Sequence, residues 1–249
     1  MKLGVFIPWT SPFMFSRCVD SVWNLQRPPD VEIRFFRGKG WCSARRHADG
    51  CEQAIAWGAD IILCLGADQT YPEDLIQRLL ARHYETNGDA IAALVPFRGY
   101  MGTQPMEVFQ PLAWRIKSDD GRAYRGMDKD PEMLHQIKSE DGDLQEVNVI
   151  GSGVLMFRKE HLLALKKPWF FEQVDRESYR LTGDMDAMFV WRLQVEAHVK
   201  IWVDTTIKVE HLNIFPIDET YQNRFSDWKD GGGDPEICRY PKIKQQERA

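Results

Sequence analysis

An α/β fold is predicted for this chain, with a strand-helix alternation in its first part and a mixed central sheet, on three observations. Short apolar runs ended by Gly, Pro or Asp alternate with longer stretches whose apolar residues recur at helical spacing. One such run, Asp60 to Leu65, continues to Asp68 and is followed at once by Pro72, so a buried strand delivers a carboxylate to the carboxyl edge of a sheet just before a helix. Ligands of open α/β sheets bind at such edges. At 249 residues, 43% apolar and 28% charged, the chain is large enough for one α/β domain with a substantial core.

The elements follow in order. Lys2 to Ile7 is the first strand, stopped by Pro8, and Phe13 to Leu25 carries apolar residues at helical spacing until Arg27-Pro28-Pro29 breaks it. Val31 to Phe36 is a second strand. Ser43 is the expected N-cap of a helix running through Trp57, because Ala44, Ala48, Cys51 and Ile55 share one face. Ile61 to Leu65 is the third strand. Pro72 at the first helical position, with Glu73 and Asp74 in the first turn, opens a helix that turns Leu75, Ile76, Leu79 and Leu80 inward. Ala90 to Val95 is the fourth strand, and this alternation predicts a parallel, right-handed half.

Between Phe97 and Glu146 the periodicity fades into Gly, Asp, Lys and Pro, which predicts short hairpins and mobile loops. Val147 to Phe157 reads as a strand interrupted by Gly151 and Gly153, where backbone can approach a ligand or simply bulge. Met185 to Ala197 is an amphipathic helix with Met185, Phe189, Leu193 and Ala197 four apart, and Val199 to Val203 and Ile207 to Val209 are short strands. The expected organisation is one domain over residues 1–212, with halves at 1–96 and 97–212, and a polar lid or tail over 213–249.

Composition excludes several classes. A net charge of -5 argues against a general nucleic-acid binder, although Arg34, Arg37, Lys39, Arg45, Arg46 and His47 form a local basic cluster able to meet phosphates or to stand as a solvated patch. No apolar stretch approaches the ~20 residues of a membrane span, and Met1 to Pro8 is too short for a signal peptide, so a cytoplasmic protein is expected. Five cysteines without C-x-x-C spacing argue against a zinc site or a disulfide framework.

Three segments carry the chemistry: Gly66 to Pro72 with Asp68, Gly183 to Asp186 with Asp184 and Asp186, and Val209 to Leu212 with His211. Alone, Asp68 would as readily cap a turn, and His211 would as readily sit satisfied in a core. In this order, together with Gly151-Ser152-Gly153 and the strand from Lys200 to Asp204, they resemble the GT-A glycosyltransferases, in particular the small family-2-like prokaryotic and viral enzymes. The resemblance spans roughly the first 210 residues. It departs where Gly66 stands for the first Asp of D-x-D and Gly183 for the Glu of E-D.

That resemblance implies a GT-A-like fold and a metal-dependent transfer of a sugar from a nucleotide-diphosphate donor, UDP- or GDP-linked, to a hydroxyl of a glycan or other acceptor, with inversion. By the same token Asp68 and His211 would hold Mn²⁺ or Mg²⁺, and Asp184 would deprotonate the acceptor. Pro8, Thr10, Arg45, Ala67, Asp68 and Gln69 would contact the donor. Arg98, Ser152, Gly153 and Asp186 would orient sugar or acceptor. Two alternatives stand beside this reading: a non-catalytic binder of sugar nucleotides or glycans, suggested by Gly66 and Gly183, and a nucleotidyltransferase. The second would want a Gly-rich basic phosphate loop, which Phe6 to Pro12 does not supply.

Overall fold

The apolar alternation of the first strand decides the layering. In the computed structural model, which describes residues 1–9, 14–97, 111–116, 134–174, 181–212 and 216–217, β1 (Lys2–Pro8) lies parallel to β2 (Glu32–Gly38) on one side and β3 (Ile61–Leu65) on the other. Leu3, Val5, Ile61, Leu63 and Leu65 point into one core, shared with α1 (Ser16–Trp23) and α3 (Leu75–Glu85). Phe6, Ile62 and Cys64 point into the other, shared with α2 (Ser43–Trp57) and α5 (Met185–Val195). Period-two alternation thus gives the sheet a helical layer on each face.

The central sheet has seven strands among the described residues, in the order β2-β1-β3-β10-β5-β13-β8. Strand β10 (Val154–Arg158) is inserted antiparallel between β3 and β5 (Ala90–Leu94), β13 (Ile201–Lys208) runs parallel to β5, and β8 (Leu144–Val147) closes the edge antiparallel to β13. The four strands of the expected parallel half, β2, β1, β3 and β5, therefore run in one direction, but antiparallel β10 stands between β3 and β5. Smaller sheets flank the carboxyl edge: β4 (Gln69–Thr70) with β14 (Glu210–Leu212) and β15 (Pro216–Ile217), and β6 (Ala113–Ile116) with β7 (Leu134–Gln136) and β9 (Val149–Ile150). The pair β11 (Gln173–Val174) and β12 (Leu181–Gly183) leads into α5, and α4 (Lys159–Leu163) follows β10.

Several boundaries differ from the sequence expectation for local reasons. Helix α3 starts at Leu75, because Pro72 to Asp74 form a turn closed by the Leu75 N–H donating to the Pro72 carbonyl at 3.1 Å. Ser43 is the first helical residue, and extended Cys42 takes the cap position without a side-chain bond. The run from Val147 to Phe157 is divided among three strands in two sheets: Val147 ends β8, Val149–Ile150 form β9 in a flanking sheet, and after a turn at Gly151 to Gly153 the chain enters β10. The two short strands after Val199 are one, β13, with a register shift between Asp204 and Lys208, and His211 stands on β14 beyond it. Helix α5 buries Met188, Val190 and Arg192 besides its expected stripe, so it is enclosed on most sides. Thr10, Arg98 and the stretch 218–249 lie outside the described residues. Among the described residues no helix is long and apolar enough to cross a membrane.

Candidate functional site

The carboxyl ends of β1 and β3, the turn between β9 and β10, and the head of α5 surround a cavity of about 620 Å³. Pro8, Ala67, Asp68, Gln69, Ser152, Gly153, Asp184, Asp186 and His211 all contribute to its wall. Arg45 does not. It lies along α2 in a neighbouring groove, with its guanidinium 2.9 Å from Glu52 and 3.7 Å from Asp49.

Asp68 and His211 are brought together by backbone pairing. In the β4–β14 ladder His211 sits opposite Gln69, and the Leu212 N–H donates to the Asp68 carbonyl at 2.7 Å. The Asp68 turn is latched to β10 by the Gly66 N–H donating to the Gly153 carbonyl at 2.8 Å, and from below by the Tyr71 hydroxyl donating to the Gly66 carbonyl at 2.6 Å. His211 Nδ1 lies 2.8 Å from the Pro96 carbonyl, which can only accept, so the ring proton sits on Nδ1. Nε2 faces Asp68 Oδ1 at 3.4 Å, so a proton or a cation shared between the two would bridge an imidazole nitrogen and a carboxylate oxygen.

The donor set suits a divalent ion: a hard carboxylate oxygen and an imidazole whose far nitrogen is already oriented by a carbonyl. Adjacent ligands of an octahedral ion with bonds of roughly 2.1 Å lie about 3 Å apart, comparable with the observed separation. Among the described residues no third His, Cys, Asp or Glu completes a cluster with them.

Gly66, where the resemblance expects an acid, packs against the side-chain amide of Gln69. The Gln69 side chain is buried, and a Cβ on Gly66 would lie 2.8 Å from its amide carbon, while one on Gly153 would lie 2.1 Å from its amide nitrogen. The amide occupies the volume that a carboxylate at position 66 would need.

In the same cavity wall, the two acids at the head of α5 have different partners. Asp184 is the N-cap, exposed, with Oδ1 accepting from the Ala187 N–H at 2.8 Å. Asp186 is half-buried, and its Oδ1 accepts from the Ser152 hydroxyl at 2.7 Å. Behind Ser152 stands His47, a residue that the sequence reading left in the basic cluster. It is buried between the rings of Phe6 and Phe170, with Nε2 3.2 Å from Ser152 Oγ and Nδ1 2.9 Å from the Ser43 carbonyl. With Nδ1 protonated toward that carbonyl, the single Ser152 proton faces two acceptors, and the shorter contact gives it to Asp186. Burial pushes the His47 pKa down despite the nearby Asp186 carboxylate and the Ser43 carbonyl, with Arg46 adding to the fall, so the ring is neutral at pH 7. Its helical spacing from Ser43 and Cys51 put it on the apolar face of α2, the one sequence signal that marks it as buried.

The rest of the basic cluster disperses. Arg34 lies over Phe36, Arg37 over Trp9, and Arg46 donates to the Gly40 carbonyl at 3.1 Å. Trp169 and Trp202 stand outside the cavity wall, Trp169 in the neighbouring groove and Trp202 donating from Nε1 to Asp89 at 3.1 Å.

The two-faced mixed sheet, with its cavity at the carboxyl edge, has a GT-A-like architecture. Among solved structures, A197 from STIV matches at 16% identity over 85% of each chain, with a TM-score of 0.50, a likeness of fold. S. aureus TarS 1-349 in complex with UDP-GlcNAc matches at 13% identity and a TM-score of 0.45, covering 83% of this chain and 56% of that one. A UDP-glucose pyrophosphorylase matches at 11% identity and a TM-score of 0.40, covering 81% of this chain and 65% of that one. No family model and no curated protein matches the chain.

Proposed function

We propose that the chain is a glycosyltransferase that takes a sugar from a nucleotide-diphosphate donor and places it, with inversion, on a hydroxyl acceptor. The observation that carries this reading is the convergence, on one cavity at the sheet's carboxyl edge, of the Asp68–His211 pair and the carboxylates at the head of α5. Asp68 and His211 would hold Mn²⁺ or Mg²⁺ and with it the diphosphate. The ion, when bound, supplies positive charge where the departing diphosphate gains negative charge. Asp184 would take the acceptor hydroxyl's proton as its oxygen bonds to the anomeric carbon, and the bond from that carbon to the diphosphate breaks with its electron pair leaving on phosphate oxygen. The Ala187 N–H keeps the Asp184 carboxylate at the helix head. Asp186, braced by Ser152, would orient the sugar.

Thermal unfolding with UDP-, GDP-, CMP- and dTDP-sugars, each with and without Mn²⁺, tests the donor half. A ligand at about 100 times its Kd adds ~2.7 kcal/mol, roughly 5–10 °C in a chain of this size. A shift is expected with at least one diphosphate donor, larger with Mn²⁺, and reduced to the metal-free level in His211→Ala. No shift with any donor overturns the reading, and an equal metal effect in His211→Ala removes that residue from the site.

A further inference from the structure

Beside the cavity lies a second hollow of about 610 Å³, and Glu172 belongs to the walls of both. One wall is the start of α2 with Trp41 before it. The other is the connection from Lys167 to Glu172. That connection is fixed rather than draped: buried Arg192 of α5 donates to the carbonyls of Lys166, Pro168 and Trp169 and is paired with Glu196. The same helix therefore carries the acids of the cavity and holds the far wall of the groove.

Two features of this groove point to a ligand. Trp41 is 88% exposed, as open to solvent as Trp23, but it lines a concave hollow beside the cavity. The charges beneath it are balanced. Glu52 is held between Arg45 at 2.9 Å and Lys167 at 2.7 Å, and Glu172 supplies a second carboxylate. A polyanion would meet two carboxylates and a polycation two cations, while a purely apolar partner would strip water from ion pairs and return nothing to them. A neutral ring with C–H faces for the indole and hydroxyls that both donate and accept satisfies every part of the wall. The volume falls within the roughly 300–1,000 Å³ of small-molecule sites.

We propose that this groove binds a neutral oligosaccharide, and that it is the acceptor, seated on Trp41 with its reactive end passing Glu172 toward Asp184. The assignment as acceptor rests on the glycosyltransferase reading. The binding of saccharide does not. Cellotriose, chitotriose, maltotriose and mannotriose, with trigalacturonate as an anionic control, can be titrated by saturation-transfer NMR against the full chain and Trp41→Ala. At least one neutral trisaccharide should bind the parent and lose about tenfold or more in affinity in Trp41→Ala, the scale of one stacking contact. Donor-induced thermal shifts should be the same in both proteins. No binding by any neutral trisaccharide, equal binding by both proteins, or preference for trigalacturonate overturns the proposal. Saccharide binding lost in Trp41→Ala alongside no donor shift in the parent would uphold the groove and sink the transferase instead.

Discussion

Asp184 and Asp186 stand two residues apart, yet one caps a helix in the open and the other leans on a hydroxyl backed by a buried imidazole. Their substitutions should therefore separate. Asp184→Asn keeps the shape of the cap and removes the base, so transfer should slow by roughly 10² to 10⁴ with donor affinity within a few-fold of the parent. Near-parent turnover would clear Asp184 of proton transfer, and lost donor affinity would assign it to the diphosphate. At this scale the sequence was partly legible. Asp68 and His211 were visible as residues, but only the resemblance paired them, because Gln69–Thr70 is too short to show a pattern and its partner strand is distant in the chain. The Gln69 amide packed against Gly66, and His47 behind Ser152, were not visible, since both depend on which side chains meet across β10 and α2.

Helix α2 shows what periodicity reveals and what it hides. Its end at Trp57, its start to within one residue, the strand Ile61–Leu65 and the run of inward leucines in α3 follow from cap chemistry and apolar spacing. Spacing reports that a face is buried, not what it is buried against, so the insertion of β10 and the splitting of Val147 to Phe157 escaped it. The closeness of α2 to the sheet is likewise set by contact rather than pattern. A Cβ on Gly50 would lie 2.4 Å from the ring of fully buried Phe6. Alanine gains about 1 kcal/mol over glycine in a helix interior, whereas forcing a methyl into a filled core costs about 1–3 kcal/mol. We expect the collision to win, and Gly50→Ala to lower the urea midpoint, with partial recovery when Phe6→Leu is added. A stabilised single variant would mean that α2 can move off the sheet freely.

The molecule as a whole should be acid-sensitive well above the carboxylate range. Burial lowers the pKa of His47, His83 and His161 below 6.5, with Arg46 adding to the effect at His47 and Arg158 at the other two, against opposing carboxylates at Asp186 and Asp89. A depressed value means that the unfolded chain takes up protons before the folded one does, so stability is full above about pH 6.5 and falls as pH drops from there toward the folded values. Asp204 has the same sign further down. Burial alone would raise it, but hydrogen bonds from Thr206 and Arg82 hold it below 3.8. Urea midpoints should be level between about pH 7 and 8 and decline steadily by about pH 5.5; a constant midpoint would show that the histidines titrate alike in both states. The placement of β10 has a further consequence, for the order in which the chain becomes stable during synthesis. When residues 1–96 have left the ribosome, β3 and β5 are both made, but the strand that joins them is still to come, and each presents an open edge of wholly buried residues. Expressed alone, 1–96 should aggregate or remain unfolded, and a well-dispersed amide spectrum from it would refute this. A split of the gene for complementation or domain grafting should fall after Arg158, the point at which β3 first has both of its neighbours.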